Sequence, residues 1–314
     1  MRLLLVVLAS LGAAGFFSLA TALKHRSAGT MPSMERLSPS AVGAFALATL
    51  RHPLWLAGIG ADVGGLGLQI TALHLGALSL VQPLLVSAVL FSLVVAHRIA
   101  GTRMARREVG YAGLLVLAVA GFLAVSGALG VHEGRPYVGS TIIASIVVVV
   151  LVVVCVGMAR RLRTAAAGRW SAALMGLAAG IIYACTAALI KSCAHVVATE
   201  GLLSLLTAWQ LYVLVTAGAM GLFFAQMAFQ AGPLAASLPA TASVDPLASV
   251  CLALAVFHEK LNHDPLSVTL SLLTLVMMLF TVTQLSLVRA HLQTETITTG
   301  SASAPHARRS SEAS

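Results

Sequence analysis

The stretch VGSTIIASIVVVVLVVVCVGM, residues 138–158, contains no charged residue and decides the fold class of this chain. Crossing the hydrocarbon core of a bilayer as an α-helix takes about 20 apolar residues. Inside lipid, a helix lets one segment satisfy all of its own backbone hydrogen-bonding groups. We therefore interpret this stretch as a transmembrane helix.

The rest of the chain follows the same pattern. Of its 314 residues, 59% are hydrophobic and 9% are charged, and the mean hydropathy is +0.96. A soluble domain carries about 25% charged residues, which its wetted surface requires. Nine apolar runs are long enough to span: 3–22, 54–73, 78–97, 109–128, 138–158, 170–190, 208–229, 236–257 and 266–288. They predict an all-α polytopic bundle of about nine transmembrane helices. Two shorter apolar stretches, 39–50 and 196–207, are interpreted as interfacial or partly re-entrant helices.

The basic residues are distributed unevenly between alternate loops. Lysine and arginine accumulate in the cytoplasmic loops of membrane proteins. Of the 19 Lys and Arg residues, 15 fall on one side of the nine predicted spans, and the other side has Arg2, Arg135, Lys191 and Lys260. The rule predicts a multi-pass protein of the cytoplasmic membrane, with its N-terminus outside and its C-terminus in the cytoplasm. The net charge of +9 is therefore a topology signal, and we expect no nucleic-acid partner.

Two segments of the sequence match without gaps. ALHLGALSLVQP (72–83) and AFQAGPLAASLP (228–239) share alanine, glycine, leucine and proline at four equivalent positions. A fainter match joins GFFSLATA (15–22) to GIIYACTA (180–187). Both matches are separated by five spans, and an odd offset reverses the direction of the second copy through the membrane. The pattern predicts an inverted repeat of spans 1–4 and 6–9.

The repeat gives the expected domain organisation. Residues 1–136 form the first four-helix unit, 137–169 a linking helix with a basic cytoplasmic loop, 170–292 the second unit, and 293–314 a disordered cytoplasmic tail. Inverted repeats underlie many secondary transporters, whose sites lie near the midplane between the copies. Transport is therefore favoured over a duplication that serves packing alone.

The turn after the eighth predicted span reads His258-Glu259-Lys260-Leu261-Asn262. With the small-residue helices and the glycine–proline hairpins, it resembles the "GERL"-like turn of the drug/metabolite transporter superfamily (EamA-like). The nine-span count and the stretches TALKHRSA (21–28) and AALIKSCA (187–194) resemble the NIPA-type magnesium-transporter branch. The resemblance covers roughly residues 10–290. It implies a carrier of a small metabolite or of a cation, with magnesium as the alternative.

Two acidic residues, Asp62 and Asp245, lie well inside predicted spans. A carboxylate at that depth costs about 2.5–3.5 kcal/mol on insertion scales, so it usually faces a cavity and has a function. Asp245 is in the middle of its span and is interpreted as a substrate- or ion-binding carboxylate. Asp62 lies in the first turns of its span, where extension to the membrane interface explains it equally well. If the substrate is a divalent cation, these two residues are the candidate metal ligands.

Prolines and glutamines accompany these carboxylates. Pro239 and Pro246 each lack an N–H, so we expect a helix break that exposes carbonyl groups beside Asp245. Gln69 and Gln226 lie upstream of the two matched segments and are candidate polar groups of the substrate site, although hydrogen bonding between helices explains them as well. Lys191 could neutralise a substrate anion, but extension to the interface from the end of span six is the preferred explanation. The spacings Gly60-Gly64 and Gly176-Gly180 are interpreted as close helix contacts.

Enzyme signatures are missing from the sequence. It contains no HExxH, GxSxG or Walker motif and no Cys/His spacing typical of metal sites. We expect no enzymatic activity and no cofactor. The expected partners are the lipid bilayer and a small-molecule or cation substrate, with a homodimer as one assembly that the chain could form. A scaffold or accessory subunit without transport of its own remains the alternative from a different class.

Overall fold

The computed structural model describes residues 2–29, 53–100, 103–128, 138–162, 168–232, 234–262 and 264–302. Within these ranges the chain is helical, and no β-strand occurs. The α-helices are α1 (Arg2–Gly29), α2 (Pro53–Leu75), α3 (Leu78–Leu85), α4 (Ala88–Ala100), α5 (Arg106–Ser126), α6 (Val138–Arg161), α7 (Gly168–Glu200), α8 (Trp209–Ala231), α9 (Leu234–Ala255) and α10 (Pro265–Ala302). A short 3-10 helix, Leu203–Leu206, lies between α7 and α8.

Nine helical segments of the described chain are long and apolar enough to cross a membrane, with α3 and α4 counted together as one. The predicted spans are confirmed, and their bounds differ by at most three residues except at the end of the sixth. Side chains such as Ile143 and Val153 of α6 point away from the bundle and are 65% and 62% exposed. This outward-facing apolar surface requires lipid around it. The chain is an all-α, multi-pass membrane protein.

Three segments differ from the predictions. The helix of span six continues to Glu200, so residues 196–200 extend α7 instead of forming a separate interfacial helix. Residues 293–302, expected to be disordered, continue α10 as a helix. Propagation of an existing helix adds one hydrogen bond for each residue fixed, and both extensions grow from long transmembrane helices. The stretch 39–50 and residues 303–314 lie outside the described residues.

The helix break is in span three and not in span eight. Span three divides at Val86–Ser87, just after Pro83, where Ser87 N donates to Leu84 O at 3.1 Å in a tighter turn. In contrast, α9 remains helical through both Pro239 and Pro246. Each proline removes a single donor, a loss that a packed transmembrane helix tolerates. The predicted break at Pro239 and Pro246 is therefore wrong, although Pro246 still has no N–H to offer to the carbonyl of Ala242.

The helix α9 is held by a very close approach to α7. A Cβ atom added at Gly176 would lie 2.6 Å from Ser237 O, and one added at Gly180 would lie 2.8 Å from Thr241 O. The Thr241 hydroxyl also donates to Gly176 O at 3.0 Å. The predicted packing role of Gly176 and Gly180 is confirmed, because the two backbones touch where these glycines lack side chains.

The two matched segments adopt equivalent structures. Gly76 and Gly232 both lie between consecutive helices, and Leu78 and Leu234 each begin the helix that follows. The helix pairs are equivalent too, since α1 packs mainly against α2 and α4, and α7 packs mainly against α8 and α9. Helices α5 and α10 then pack against each other across the two halves.

Equivalent contacts occur inside the two helix pairs. A Cβ atom added at Gly65 would lie 2.8 Å from the Phe17 ring, and one added at Gly221 would lie 2.7 Å from the Tyr183 ring and 3.3 Å from Ile182 Cγ2. Gly65 and Gly221 are equivalent at the offset of the first matched pair, and Phe17 and Ile182 at that of the second. The sequence repeat therefore corresponds to a repeat of helix packing.

Candidate functional site

A buried carboxylate lies where the two halves meet. Glu259 follows the end of α9 and is 5% exposed. Its Oε1 atom accepts a hydrogen bond from Leu78 N at 2.6 Å. Its Oε2 atom accepts from Ser79 N at 2.9 Å and from Ser79 Oγ at 2.6 Å. Leu78 and Ser79 begin α3, where helical N–H groups have no acceptor within the helix and where the helix dipole favours negative charge. A carboxylate of the second half therefore caps a helix of the first.

The same carboxylate binds a lysine of the second half. Lys191 Nζ lies 2.5 Å from Glu259 Oε1, and the two side chains are 11% and 3% exposed. The ammonium group also lies 4.9 Å from the centre of the Phe257 ring. The preferred explanation of Lys191, extension to the interface from the end of its span, is therefore wrong. Helix α7 continues beyond it for more than two turns, and its charge is paired inside the protein.

The turn that contains Glu259 is fixed by short hydrogen bonds. Glu259 N donates to Ala253 O at 3.1 Å, and His258 takes a positive φ of 51°. Asn262 N donates to Ser126 O at 2.9 Å, and Asn262 Nδ2 donates to Val125 O at 2.8 Å. These bonds fasten the turn to the end of α5, so the carboxylate has a fixed position next to the start of α3. We use the name Glu259 cluster for Glu259, Lys191, Leu78 and Ser79. The membrane face at which α9 ends is called the Glu259 face.

A second carboxylate contact lies at the C-terminal end of α4. His97 Nε2 is 2.9 Å from Glu108 Oε2, which also accepts from Ala105 N at 2.9 Å. This contact joins α4 and α5 inside the first half. The Glu259 cluster differs because it joins α3 to the second half.

Asp245 lies on α9, beside the glycine face of α7. Its Oδ1 atom is 3.5 Å from Ser249 Oγ, a long contact one turn further along the helix. Its carboxylate is within electrostatic reach of Tyr183 and Cys185 on α7. Backbone contact at Gly180 brings the two helices together at this level, where Asp245 N would be 3.3 Å from an added Cβ. Asp245 is therefore between helices and is partly buried, as a functional carboxylate inside a span should be.

A cavity of about 840 Å³ lies among α6, α7, α8 and α9. Most of its lining is apolar, with contributions from Val148, Ile182, Val213 and Val256. Cys185 also lines the cavity, so one side chain both faces this space and lies within reach of the Asp245 charge. Phe257 lines its end near the Glu259 cluster.

The remaining predicted site residues lie elsewhere. Asp62 and Gln69 are partly buried on α2, which packs mainly against α1, and Gln226 is exposed on α8. At the offset of the matched segments, Gln226 is equivalent to Ile70 and not to Gln69. The two glutamines therefore face different directions, and neither they nor Asp62 line this cavity. Among the described residues, no group of three His, Cys, Asp or Glu side chains comes together as a metal site.

Sequence reasoning missed Glu259 as a site residue because it was assigned to a loop. A signal was present, however. Lys191 and Glu259 are opposite charges at the ends of two apolar runs that the charge distribution assigns to the same membrane face. Buried charges are paired in proteins, so two such residues are candidates for each other.

The chain is 30% identical to the uncharacterized protein Cgl0250/cg0304 of Corynebacterium glutamicum over 260 residues. The match covers 82% of this chain and 86% of that protein. No family model matches the sequence, and no solved structure matches it.

Proposed function

We propose that this chain, which belongs to the same family as the Corynebacterium glutamicum protein, is a secondary transporter. It moves a small organic compound, a metabolite or a cationic molecule, across the cytoplasmic membrane by alternating access. The charge distribution supports an orientation with the N-terminus outside and the C-terminus in the cytoplasm. The resemblance to the drug/metabolite transporter superfamily supports the same function.

The observation that carries this proposal is the cavity among α6–α9. Its volume of about 840 Å³ is within the range of about 300–1,000 Å³ that holds small-molecule ligands in proteins. Its lining is mainly apolar with a few polar groups, which is also typical of ligand sites. A scaffold needs close packing between these helices and gains nothing from a space of this size, since empty volume costs packing energy.

Alternating access requires a contact between the halves that closes one face of the membrane. The Glu259 cluster supplies such a contact, because α3 of the first half is bound to a carboxylate of the second. Opening this face would separate Leu78 and Ser79 from Glu259 while Lys191 stayed with the second half. The N–H groups at the start of α3 would then bind water instead of the carboxylate.

Asp245 is the proposed coupling residue. Cys185 of α7 lines the cavity and interacts electrostatically with Asp245. A small rotation of α9 against the glycine face of α7 would bring the Asp245 carboxylate to the cavity. There it could bind a proton or a cationic group of the substrate and exchange one for the other. In this proposal Asp62 has a secondary role.

Purified protein in liposomes also tests the two alternatives, a magnesium carrier and a scaffold. A magnesium carrier requires oxygen ligands for a hard cation, and an apolar cavity favours an organic compound instead. A scaffold would produce no flux. Purified protein in liposomes should take up or release an organic substrate from a compound panel, and Asp245→Asn should abolish that flux. Flux of magnesium alone would favour the first alternative. No flux with any compound or divalent ion would favour the scaffold.

A further inference from the structure

Most of the polar side chains that line the cavity lie towards one end, with Ser145 and Ser192 about one turn deeper. Thr141 lies in the first turn of α6, His195 lies near the end of α7, and Trp209 and Gln210 begin α8. These helix ends all lie at the Glu259 face, because the transmembrane helices alternate in direction. Tryptophan is typical of the membrane–water interface, where its ring is apolar and its N–H is wet. We call these four residues the mouth of the cavity.

The deeper part of the cavity is apolar and reaches far into the membrane. From Thr141 to Val149, α6 descends by about 12 Å at 1.5 Å per residue. Half of the hydrocarbon core is about 15 Å, so Val149 lies close to the midplane. Ala217 of α8 lines the cavity eight residues beyond Trp209, a rise of about 12 Å. Among the described residues that line the cavity there is no aspartate, glutamate, lysine or arginine.

One wall of the cavity also faces lipid. Ile142, Ile146 and Val149 line the cavity, and they are 55%, 58% and 59% exposed. These side chains of α6 therefore contact the cavity and the surroundings of the bundle at once.

We propose that this cavity binds an amphipathic compound with an uncharged, hydrogen-bonding head at the mouth and an apolar chain that extends towards the midplane. The proposal rests on the transport function proposed above and names the class of its substrate. A charged head at the mouth would lack a partner, because no aspartate or glutamate is among the described lining residues and the buried cation Lys191 is already bound to Glu259. Hydroxyl groups of the head would bind Gln210 and His195, while the chain would fill the space next to Ala217. A strongly hydrophilic compound would leave this apolar surface uncovered.

The test uses the tryptophan at the mouth as a reporter. In a protein with Trp55→Phe and Trp170→Phe, Trp209 is the remaining tryptophan. This protein is placed in lipid nanodiscs and titrated with a medium-chain monoacylglycerol that is brominated on its chain. We expect saturable quenching of Trp209 above the linear quenching from probe dissolved in the lipid.

Two substitutions on α8 form a matched pair. Ala217→Phe fills the apolar depth, whereas Ala219→Phe adds the same ring at an exposed position two residues away. We expect Ala217→Phe to weaken saturable binding about tenfold or more, and Ala219→Phe to leave it unchanged. Gln210→Leu should weaken binding of the monoacylglycerol but not of a brominated hydrocarbon without a head, a comparison that does not depend on the folding of Ala217→Phe. Equal binding in the two alanine variants, or no saturable component, overturns the proposal.

Flux measurements distinguish the proposed amphipathic substrate class from the transport function on which it rests. If the nanodisc protein binds the amphipath at this cavity but liposomes show no flux of any compound, the amphipath site stands and the transport proposal fails. If liposomes show flux of a hydrophilic metabolite and the monoacylglycerol neither binds saturably nor competes, the transport proposal stands and the amphipath class is wrong.

Discussion

Lys191 and Glu259 meet at 2.5 Å, 68 residues apart in sequence, and the second of them caps a helix that belongs to the other half of the protein. The side chains of both residues are largely buried. Burial makes each charge dependent on the other, because the loss of one partner leaves an uncompensated charge in an apolar environment.

The first prediction is a large loss of stability when this pair is broken. Removal of one member of a buried ion pair costs about 3–5 kcal/mol in soluble proteins. We expect Glu259→Ala to lower the free energy of unfolding by an amount in this range, since Lys191 loses its anion and α3 its cap. Lys191→Met should cost less, because Glu259 keeps its bonds to Leu78 and Ser79. Thermal unfolding of the purified protein measures both effects.

The control for this prediction is Lys260→Met. Lys260 is next to Glu259 in sequence, but its side chain is exposed, so removal of its charge should change the free energy of unfolding very little. If Glu259→Ala and Lys260→Met have equal effects, the cluster does not hold the halves together.

The second prediction concerns the contact between α7 and α9. Gly176→Ala places a Cβ atom 2.6 Å from Ser237 O, and overpacking of this kind costs about 1–3 kcal/mol. We expect a lower unfolding temperature. Gly218→Ala on α8 is the matched control, since nothing lies within 4 Å of the added Cβ atom there. It should be neutral or stabilising, because alanine favours helix over glycine. Equal effects of the two substitutions would contradict the close packing.

The span pattern and the repeat were predictable from sequence because they depend on local composition. The nine apolar runs, the glycines at 76 and 232 and the packing role of Gly176 needed no long-range information. The Glu259 cluster was not predicted, because a buried acid and a solvated loop acid look the same in sequence until the partner is known. Gln226 is also offset by one residue from the position equivalent to Gln69. A shift of one residue turns a side chain by about 100° around a helix, so Gln69 and Gln226 do not point in equivalent directions.

The third prediction tests the inverted repeat and the topology together. His74 and Gln230 are exposed and occupy equivalent positions in the two matched segments. In a variant that lacks the native cysteines Cys155, Cys185, Cys193 and Cys251, a cysteine at position 74 should react with a membrane-impermeant thiol reagent added outside intact cells. A cysteine at position 230 should react only after permeabilisation, because an offset of five spans reverses the second copy.

A reporter that is active only in the cytoplasm provides the control for orientation. Fused after Ser314, it should be active, since 15 of the 19 basic residues fall on that side. Labelling of positions 74 and 230 from the same side would disprove the inverted repeat. An inactive reporter would disprove the orientation but would leave the repeat intact.

The last prediction concerns Asp245. A carboxylate costs free energy inside a span, and the Oδ1 atom of this one lies a long 3.5 Å from Ser249 Oγ. Stability therefore does not explain why it is there. We expect Asp245→Asn to abolish flux in liposomes while expression and unfolding temperature stay the same or rise, because the amide keeps the shape and removes the charge. Asp245→Glu, which restores a carboxylate, should retain part of the flux.

Asp62→Asn is the control, since Asp62 lies on α2 in the other helix pair, and it should reduce flux less. Flux that survives Asp245→Asn with an unchanged dependence on pH would remove Asp245 from the mechanism, and with it most of the argument for a proton- or cation-coupled carrier.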